Sequence, residues 1–189
     1  MEPIFLTTPK GDKIRILMPE DVDKVIAQIK KPRLRTLFEV CLWSGMRYME
    51  VQRLYDHPEW WLKERNSLYL PREATLKPMR QFKERYIPVP PQLAAALPYF
   101  FENLRPPHIK VWNDDLIRFV EKAGLETEGI SSKVTRATIE SWMFATGLDT
   151  GWILLRQGHT ELTALNHYRA IPFADKEREE IKRRLAGWG

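Results

Sequence analysis

Apolar residues recur at helical spacing over the first third of the chain, after a short polar lead. Four of them predict a first helix, because they lie three or four positions apart: Val22, Val25, Ile26 and Ile29. Lys31-Pro32 interrupts this pattern, and a second apolar stripe over 34–42 predicts a helix that Gly45 ends. A third helix is predicted over 47–55. The turn between the second and third helices therefore presents Arg47 beside a helix N-terminus.

The pattern changes over 67–90. Two short β-prone runs, SLYLP and RYIPVP, flank the basic segment LKPMRQFKER, and the prolines disfavour a helix, so we expect a small antiparallel sheet with a basic tip. Helical patterns return at 91–104, 113–124 and 131–147, followed by a short helix at 152–155 and a tail helix from Asp175 to just before Gly187. The predicted fold class is mainly α with a small antiparallel β-sheet (α+β).

Length and composition narrow the class of protein. A chain of 189 residues suits a single compact domain, which we expect to have its core at about 18–168 and a C-terminal tail helix at 169–189. Lysine and arginine number 30 against 25 acids, and the net charge of +5 suits a polyanionic partner. The single cysteine, Cys41, excludes an intramolecular disulfide and a cysteine metal cluster.

The cysteine content also fits a reducing compartment, and two further absences in the sequence agree with it. No apolar stretch approaches the roughly 20 residues that span a bilayer, and the N-terminus lacks a secretion signal. We therefore expect an intracellular, cytoplasmic protein without a membrane partner.

Isolated basic residues stand at predicted turns and helix starts: Arg47, Lys77, Lys133, Arg136 and His159. Tyr168 follows the histidine by nine positions. Breaking a phosphodiester without a metal needs multidentate positive groups on the non-bridging oxygens, a nucleophile, and an acid for the departing oxygen. Arginine suits the first task, because it is planar, permanently charged and bidentate.

Each of these residues also has a simpler interpretation. Arg47 can be solvated or paired with Glu50 across one helical turn. Lys133 and Arg136 can form a solvated helix face, and the basic run at 77–85 a solubilising loop. Tyr168 can be an ordinary tyrosine with its ring in the core and its hydroxyl at the surface. The order and spacing of the whole set decide between the two interpretations.

That order and spacing resemble the catalytic domain of the tyrosine recombinase and integrase family. LWSGMRYMEVQRL matches the family's helix, Ser-Gly turn and Arg-x-x-Glu, and KVTR matches its His- or Lys-x-x-Arg. A Gly-His pair follows that second arginine after 23 residues, and the tyrosine of HTELTALNHY stands nine residues further on. At position 133 this chain has a lysine where the family more often has a histidine. In this feature it resembles integrases of archaeal viruses and plasmids. The matched positions are Arg47, Glu50, Lys133, Arg136, His159 and Tyr168.

The resemblance implies a mechanism as well as a fold. Tyr168 would attack a DNA phosphate to form a 3′-phosphotyrosyl link and a free 5′-hydroxyl, which later attacks in reverse, so no metal, ATP or other cofactor is expected. Arg47 and Arg136 would clamp the scissile phosphate, with further contacts from Lys133 and His159. Glu50 would support Arg47.

The resemblance also implies a role for the predicted sheet. The family has a lysine on a β-hairpin that protonates the leaving oxygen, and Lys77 is the expected residue, with Arg80 or Lys83 as alternatives at that position. Three basic residues of the same segment are expected to contact DNA: Arg80, Lys83 and Arg85.

Partners follow from the same resemblance. We expect double-stranded DNA attachment sites, a monomer in isolation and a tetramer on DNA. The family's N-terminal DNA-clamp domain is not found within the 189 residues, so we expect either a fragment of a longer integrase or a minimal member. Two other functions stay open, namely a non-cleaving DNA-binding module of the same fold and type IB topoisomerase-like relaxation.

Overall fold

The computed structural model describes residues 2–8, 11–74, 84–103, 105–158 and 171–188. The α-helices of these segments are α1 (Pro19–Gln28), α2 (Pro32–Ser44), α3 (Tyr48–Asp56), α4 (Pro91–Glu102), α5 (Ile109–Lys122), α6 (Val134–Ala145), α7 (Thr150–Gln157) and α8 (Asp175–Arg184). The strands are β1 (Ile4–Thr7), β2 (Lys13–Ile16), β3 (Trp61–Leu62), β4 (Ser67–Leu70) and β5 (Arg85–Pro88). The prediction of a mainly helical α+β fold is confirmed.

The turn between α2 and α3 forms where the sequence predicts it. Pro32 occupies the first position of α2, where its missing N–H removes no helical hydrogen bond. Gly45 ends the helix in the left-handed region, with φ of 64°, and its N–H donates to the carbonyl of Cys41 at 3.2 Å. Arg47 is the N-cap residue of α3. The left-handed glycine thus turns the chain so that α3 begins only three residues later, at Tyr48.

Strands β3, β4 and β5 form one antiparallel sheet in that order. The predicted pair β4–β5 is confirmed, with Leu68 opposite Ile87, and both of these side chains are fully buried. Strand β3 was not predicted, because a two-residue strand has too few positions to show a period-two pattern. The predicted basic tip falls at residues 75–83, outside the described residues.

A second, two-stranded sheet forms where the sequence analysis expected only a polar lead. Strands β1 and β2 pair in antiparallel register, with Leu6 opposite Ile14. Leu6 and Ile16 are buried, and the N–H of Leu17 donates to Oγ1 of Thr138 in α6 at 3.0 Å. The expectation of a single sheet was therefore wrong, since this hairpin is held by contacts with a helix more than 100 residues away in sequence.

Helix α6 lies in the centre of the core. Its ten residues from 134 to 143 are all buried, and the indole N–H of Trp142 donates to the carbonyl of Leu17 at 3.1 Å. Helix α8 covers one side of this core with a fully buried Ile181, and Arg184 forms a two-bond ion pair with Asp23 of α1. Within the described segments, no helix combines the length and the apolarity that crossing a membrane requires.

Candidate active site

Arg47 is fixed by its place at the start of α3. Its backbone N–H donates to Oε2 of Glu50 at 2.8 Å, and its Nη1 donates to Oε1 of the same carboxylate at 3.2 Å. The Arg47 side chain keeps 33% of its surface exposed, whereas that of Glu50 keeps 1%. The ion pair between Arg47 and Glu50 that the simpler interpretation expects is therefore present. The pair is half-buried, however, and the charged side chains of Arg85 and Arg136 lie close to it.

Arg136 reaches the same turn from the first turn of α6. Its Nη1 donates to the carbonyl of Gly45 at 2.7 Å and to Oε1 of Gln157 at 2.8 Å. Its Nη2 donates to the main-chain carbonyl of Gln157 at 2.6 Å. Only 8% of Arg136 is exposed, so the solvated helix face considered from the sequence is excluded. The guanidinium instead joins α6, the α2–α3 turn and the end of α7.

The electrostatics of Arg47 and Arg136 show that the two guanidinium groups act on each other. Burial lowers the pKa of Arg47 to about 10, and the positive charge of Arg136 lowers it further than Arg85 does, while Glu50 opposes the shift. Arg47 therefore remains cationic at neutral pH. Two neighbouring cations form a site that a bound anion stabilises, because the anion relieves their repulsion.

Glu50 is the buried carboxylate of this group. Its Oε2 accepts from Nη2 of Arg85 at 2.7 Å, in addition to the contacts with Arg47. Burial raises the pKa of Glu50, but Arg85 and then Arg47 lower it more strongly, to about 2. The carboxylate is therefore ionised at neutral pH and balances part of the positive charge around it.

Arg85 lies inside the protein rather than on the DNA-facing loop that the sequence analysis expected. Only 7% of the residue is exposed, and its Nε donates to the main-chain carbonyl of Arg156 at 3.1 Å. It also packs against Gly158, where an added Cβ would meet Cδ of Arg85 at 3.1 Å. These contacts connect β5 with the end of α7 and with Glu50, so they favour a supporting role over a direct DNA contact.

Two residues at the end of α7 take part in the site and were missed in the sequence. Gln157 is fully buried against Arg136, and Arg156 is 1% exposed with its Nη2 donating to the carbonyl of Trp43 at 2.7 Å. Burial, followed by the charges of Arg136 and Arg85, lowers the pKa of Arg156 to about 9. An arginine near a helix C-terminus is ordinarily a solvated partner of the helix dipole, so the sequence held no signal for its burial.

Lys133 lies at the start of the helix that carries Arg136. Lys133 is the N-cap residue of α6, exposed and one turn before Arg136. The structure thus brings together Arg47, Glu50, Arg85 and Arg136, with Lys133 on the adjoining helix start. Five predicted residues lie outside the described residues: Lys77, Arg80, Lys83, His159 and Tyr168. In the ranges that the structure covers, no group of three or more histidine, cysteine, aspartate or glutamate residues is arranged to hold a metal ion.

Comparison with known proteins finds similarity in structure but not in sequence. No protein-family model matches the chain, and no curated protein matches it either. The XerA recombinase has a TM-score of 0.67 and 14% identity, over 95% of this chain and 66% of that one. A fragment of the Tn1549 transposon integrase in complex with circular intermediate DNA has a TM-score of 0.69 and 17% identity, over 94% of this chain and 68% of that one.

A variant of the same integrase fragment, in complex with transposon right end DNA, is similar to the same degree. Its TM-score is 0.67 at 18% identity, over 96% of this chain and 68% of that one. The chain therefore has the fold of a tyrosine recombinase catalytic domain. It spans about two thirds of the length of these solved chains, since the covered shares are 66% and 68%.

Proposed function

We propose that this chain is the catalytic domain of a tyrosine-type site-specific recombinase or integrase that cleaves and rejoins double-stranded DNA. The observation that carries the proposal is the convergence of Arg47 and Arg136, from two different helices, on one partly exposed cationic site within this fold. A phosphodiester of DNA is an anionic group that suits two adjacent guanidinium groups, because each guanidinium offers paired donors to phosphate oxygens.

The proposed reaction conserves the number of phosphoester bonds. The phenolic oxygen of Tyr168 attacks the scissile phosphorus and forms the 3′-phosphotyrosyl bond, while the bond to the 5′-oxygen breaks. The phenol gives up its proton on attack, and the departing 5′-oxygen takes one up. In the reverse step a 5′-hydroxyl attacks the phosphotyrosine and releases the tyrosine. Negative charge builds on the non-bridging oxygens in both steps, where Arg47 and Arg136 stabilise it.

The other residues have supporting roles in this proposal. Lys133 and His159 add contacts to the phosphate, and Lys77 protonates the leaving oxygen, with Arg80 or Lys83 as alternatives. In this proposal Lys133 serves as a positive charge that binds phosphate oxygens. Glu50 holds Arg47, and Arg85 holds Glu50. Arg80 and Lys83 remain proposed DNA contacts. Arg85 is buried, and we propose that it holds Glu50 in place instead of contacting DNA.

The partners are proposed on the same basis. The chain acts on DNA attachment sites inside the cell, as a monomer in isolation and as part of a tetramer on DNA. The Tn1549 integrase, of similar fold, is described with circular intermediate DNA and with transposon right end DNA. A mobile element such as an archaeal virus or plasmid is the proposed source of the DNA.

A covalent-adduct experiment tests the proposal directly. The protein is incubated with nicked duplexes whose sequence around the nick is randomised, so that cleavage traps the enzyme on DNA, and adducts are isolated under denaturing conditions and sequenced. We expect an adduct from the wild type and none from Tyr168→Phe. Tyr99→Phe is the matched control, because it removes the same hydroxyl from an exposed tyrosine on α4, and it should form the adduct normally.

Two further results separate the alternatives. Arg136→Ala should bind DNA with nearly unchanged affinity but form little adduct, because phosphate affinity is distributed over many basic residues while transition-state charge is not. Adduct formation by Tyr168→Phe would overturn the proposed nucleophile. DNA binding without any adduct from the wild type would favour a non-cleaving module. Relaxation of supercoiled plasmid without recombinant products would favour a topoisomerase.

A further inference from the structure

Gln157, the last residue of α7, accepts two hydrogen bonds from the guanidinium of Arg136. Its side-chain Oε1 accepts from Nη1 at 2.8 Å, and its main-chain oxygen accepts from Nη2 at 2.6 Å. Gln157 is itself fully buried. Because the two acceptors bind different nitrogens, they fix the plane of the guanidinium and not merely its position.

The turn at Gly45 is shaped to admit this glutamine. A Cβ added at Gly45 would stand 2.5 Å from Nε2 and 3.0 Å from Oε1 of Gln157. The carbonyl of the same glycine is the third acceptor for Arg136, at 2.7 Å. The absence of a side chain at Gly45 thus lets the glutamine and the turn hold the arginine from two sides.

The buried side-chain amide of Gln157 lowers the stability of the fold, and packing does not explain why an amide is present. Among the described residues, Nε2 of Gln157 has no hydrogen-bond partner. Leaving such a group without a partner costs free energy, whereas a methionine of similar length would fill the space without that cost. Packing alone would therefore favour an apolar residue at this position. The hydrogen bond that Oε1 accepts from Arg136 is a reason for an amide here.

We infer that Gln157 is a positioning residue that orients Arg136 toward the scissile phosphate. It does not touch the DNA, because it is fully buried, and it acts only through the guanidinium. This inference rests on the proposed function, and it adds to that function a residue that the motif comparison does not mark. The rival explanation is that Gln157 is an ordinary packing residue.

Nuclear magnetic resonance of the arginine side chains tests the geometry without requiring cleavage. In the wild type, the Nη protons of Arg136 should rotate slowly and give separate signals, because at least three acceptors among the described residues hold them. In Gln157→Met these signals should merge or shift. Ser141→Ala is the matched control, because it removes a buried hydroxyl from α6, the helix of Arg136, and that hydroxyl donates to the carbonyl of Ala137. It should leave the signals unchanged.

Adduct formation tests the consequence for chemistry. On a nicked duplex that the wild type cleaves, Gln157→Met should bind DNA with unchanged affinity and form adduct roughly tenfold more slowly, the effect of one hydrogen bond to a charged group. On the same duplex with a methylphosphonate at the scissile position, which carries no negative charge, the difference from the wild type should disappear. A structural defect would slow both substrates alike.

The outcomes separate the two proposals. Absence of an adduct from the wild type overturns the proposed function. It also overturns the inference that Gln157 orients Arg136 toward a scissile phosphate. Adduct formation by the wild type and by Gln157→Met at equal rates overturns the inference alone, as do unchanged Arg136 signals in Gln157→Met or an equal loss on both substrates.

Discussion

At the scale of single residues, the ionised carboxylate of Glu50 makes the stability of the fold depend on pH. Its pKa is about 2 in the folded protein, against an ordinary value of 4.5, so the ionised carboxylate stabilises the folded state. A shift of this size corresponds to about 3 kcal/mol. Because the folded pKa is depressed, this stabilisation is complete above the unfolded pKa and is lost as the pH falls from about 4.5 toward 2.

Glu50→Gln should therefore unfold more easily at neutral pH by about 3 kcal/mol, since the amide cannot balance Arg47 and Arg85. The free energy of unfolding, measured by urea denaturation, should differ most between the two proteins above pH 5 and converge below it as the wild-type carboxylate takes up its proton. Glu39→Gln is the control, because Glu39 forms only a surface pair with Arg35. A deficit that stays constant with pH would contradict this assignment.

The residues of the site divide into those that the sequence reveals and those that it hides. The motifs grouped Arg47, Glu50 and Arg136, and these three residues do lie together in the structure, while their catalytic roles stay a prediction. Arg85 was assigned to the wrong surroundings, since its burial depends on Glu50 and on α7, far away in sequence. Gln157 was missed for the same reason, because no local pattern distinguishes a buried glutamine from a solvated one.

At the scale of elements, the α2–α3 turn is the part on which the site depends most. Gly45→Ala should destabilise the protein in two ways, because φ is 64° and because the new Cβ would lie 2.5 Å from Nε2 of Gln157. The left-handed backbone alone costs roughly 1–2 kcal/mol for an alanine. Displacement of Gln157 should add to that cost and slow DNA cleavage.

Gly124→Ala separates the two effects. Gly124 has φ of 72°, but an added Cβ meets nothing within 4 Å. This variant should lose only the backbone contribution, and the difference between the two free energies of unfolding then measures the Gln157 contact. Equal losses in the two variants, with normal cleavage by Gly45→Ala, would show that the turn and Gln157 are not coupled.

The elements that the sequence predicted share one physical property, which is that local interactions define them. Helix α2 has a proline at its start, an apolar stripe along its length and a left-handed glycine at its end, and all three signals are readable within 14 residues. The hairpin β1–β2 has none of these, because its two strands are four residues long and are stabilised by α6. Long-range contacts therefore account for β1 and β2, which the sequence analysis missed.

At the scale of the whole molecule, the C-terminal segment docks onto the same core that holds the site. Trp188 is 7% exposed, with its ring edge against Trp43 at 6.2 Å between centroids. The guanidinium of Arg156 lies 4.9 Å from the centre of the Trp188 ring. The apolar residues Ile181, Leu185 and Trp188 of this segment are thus buried against their own chain.

Trp188→Ala should lower the free energy of unfolding by about 3 kcal/mol, because it removes a large buried ring and one face of the cation–π contact with Arg156. Asp23→Asn is the matched control, since it weakens only the exposed ion pair between α1 and α8, which contributes less than about 1 kcal/mol. Thermal unfolding measures both effects.

The same measurement distinguishes a segment docked on its own chain from one exchanged between protomers. If each tail packs on its own core, the midpoint of thermal unfolding should not change with protein concentration, for either the wild type or Trp188→Ala, because folding is then unimolecular. If tails are exchanged, the wild-type midpoint should rise with concentration, and Trp188→Ala should reduce that rise. A concentration-dependent midpoint in the absence of DNA would therefore contradict both the docking within one chain and the expected monomer.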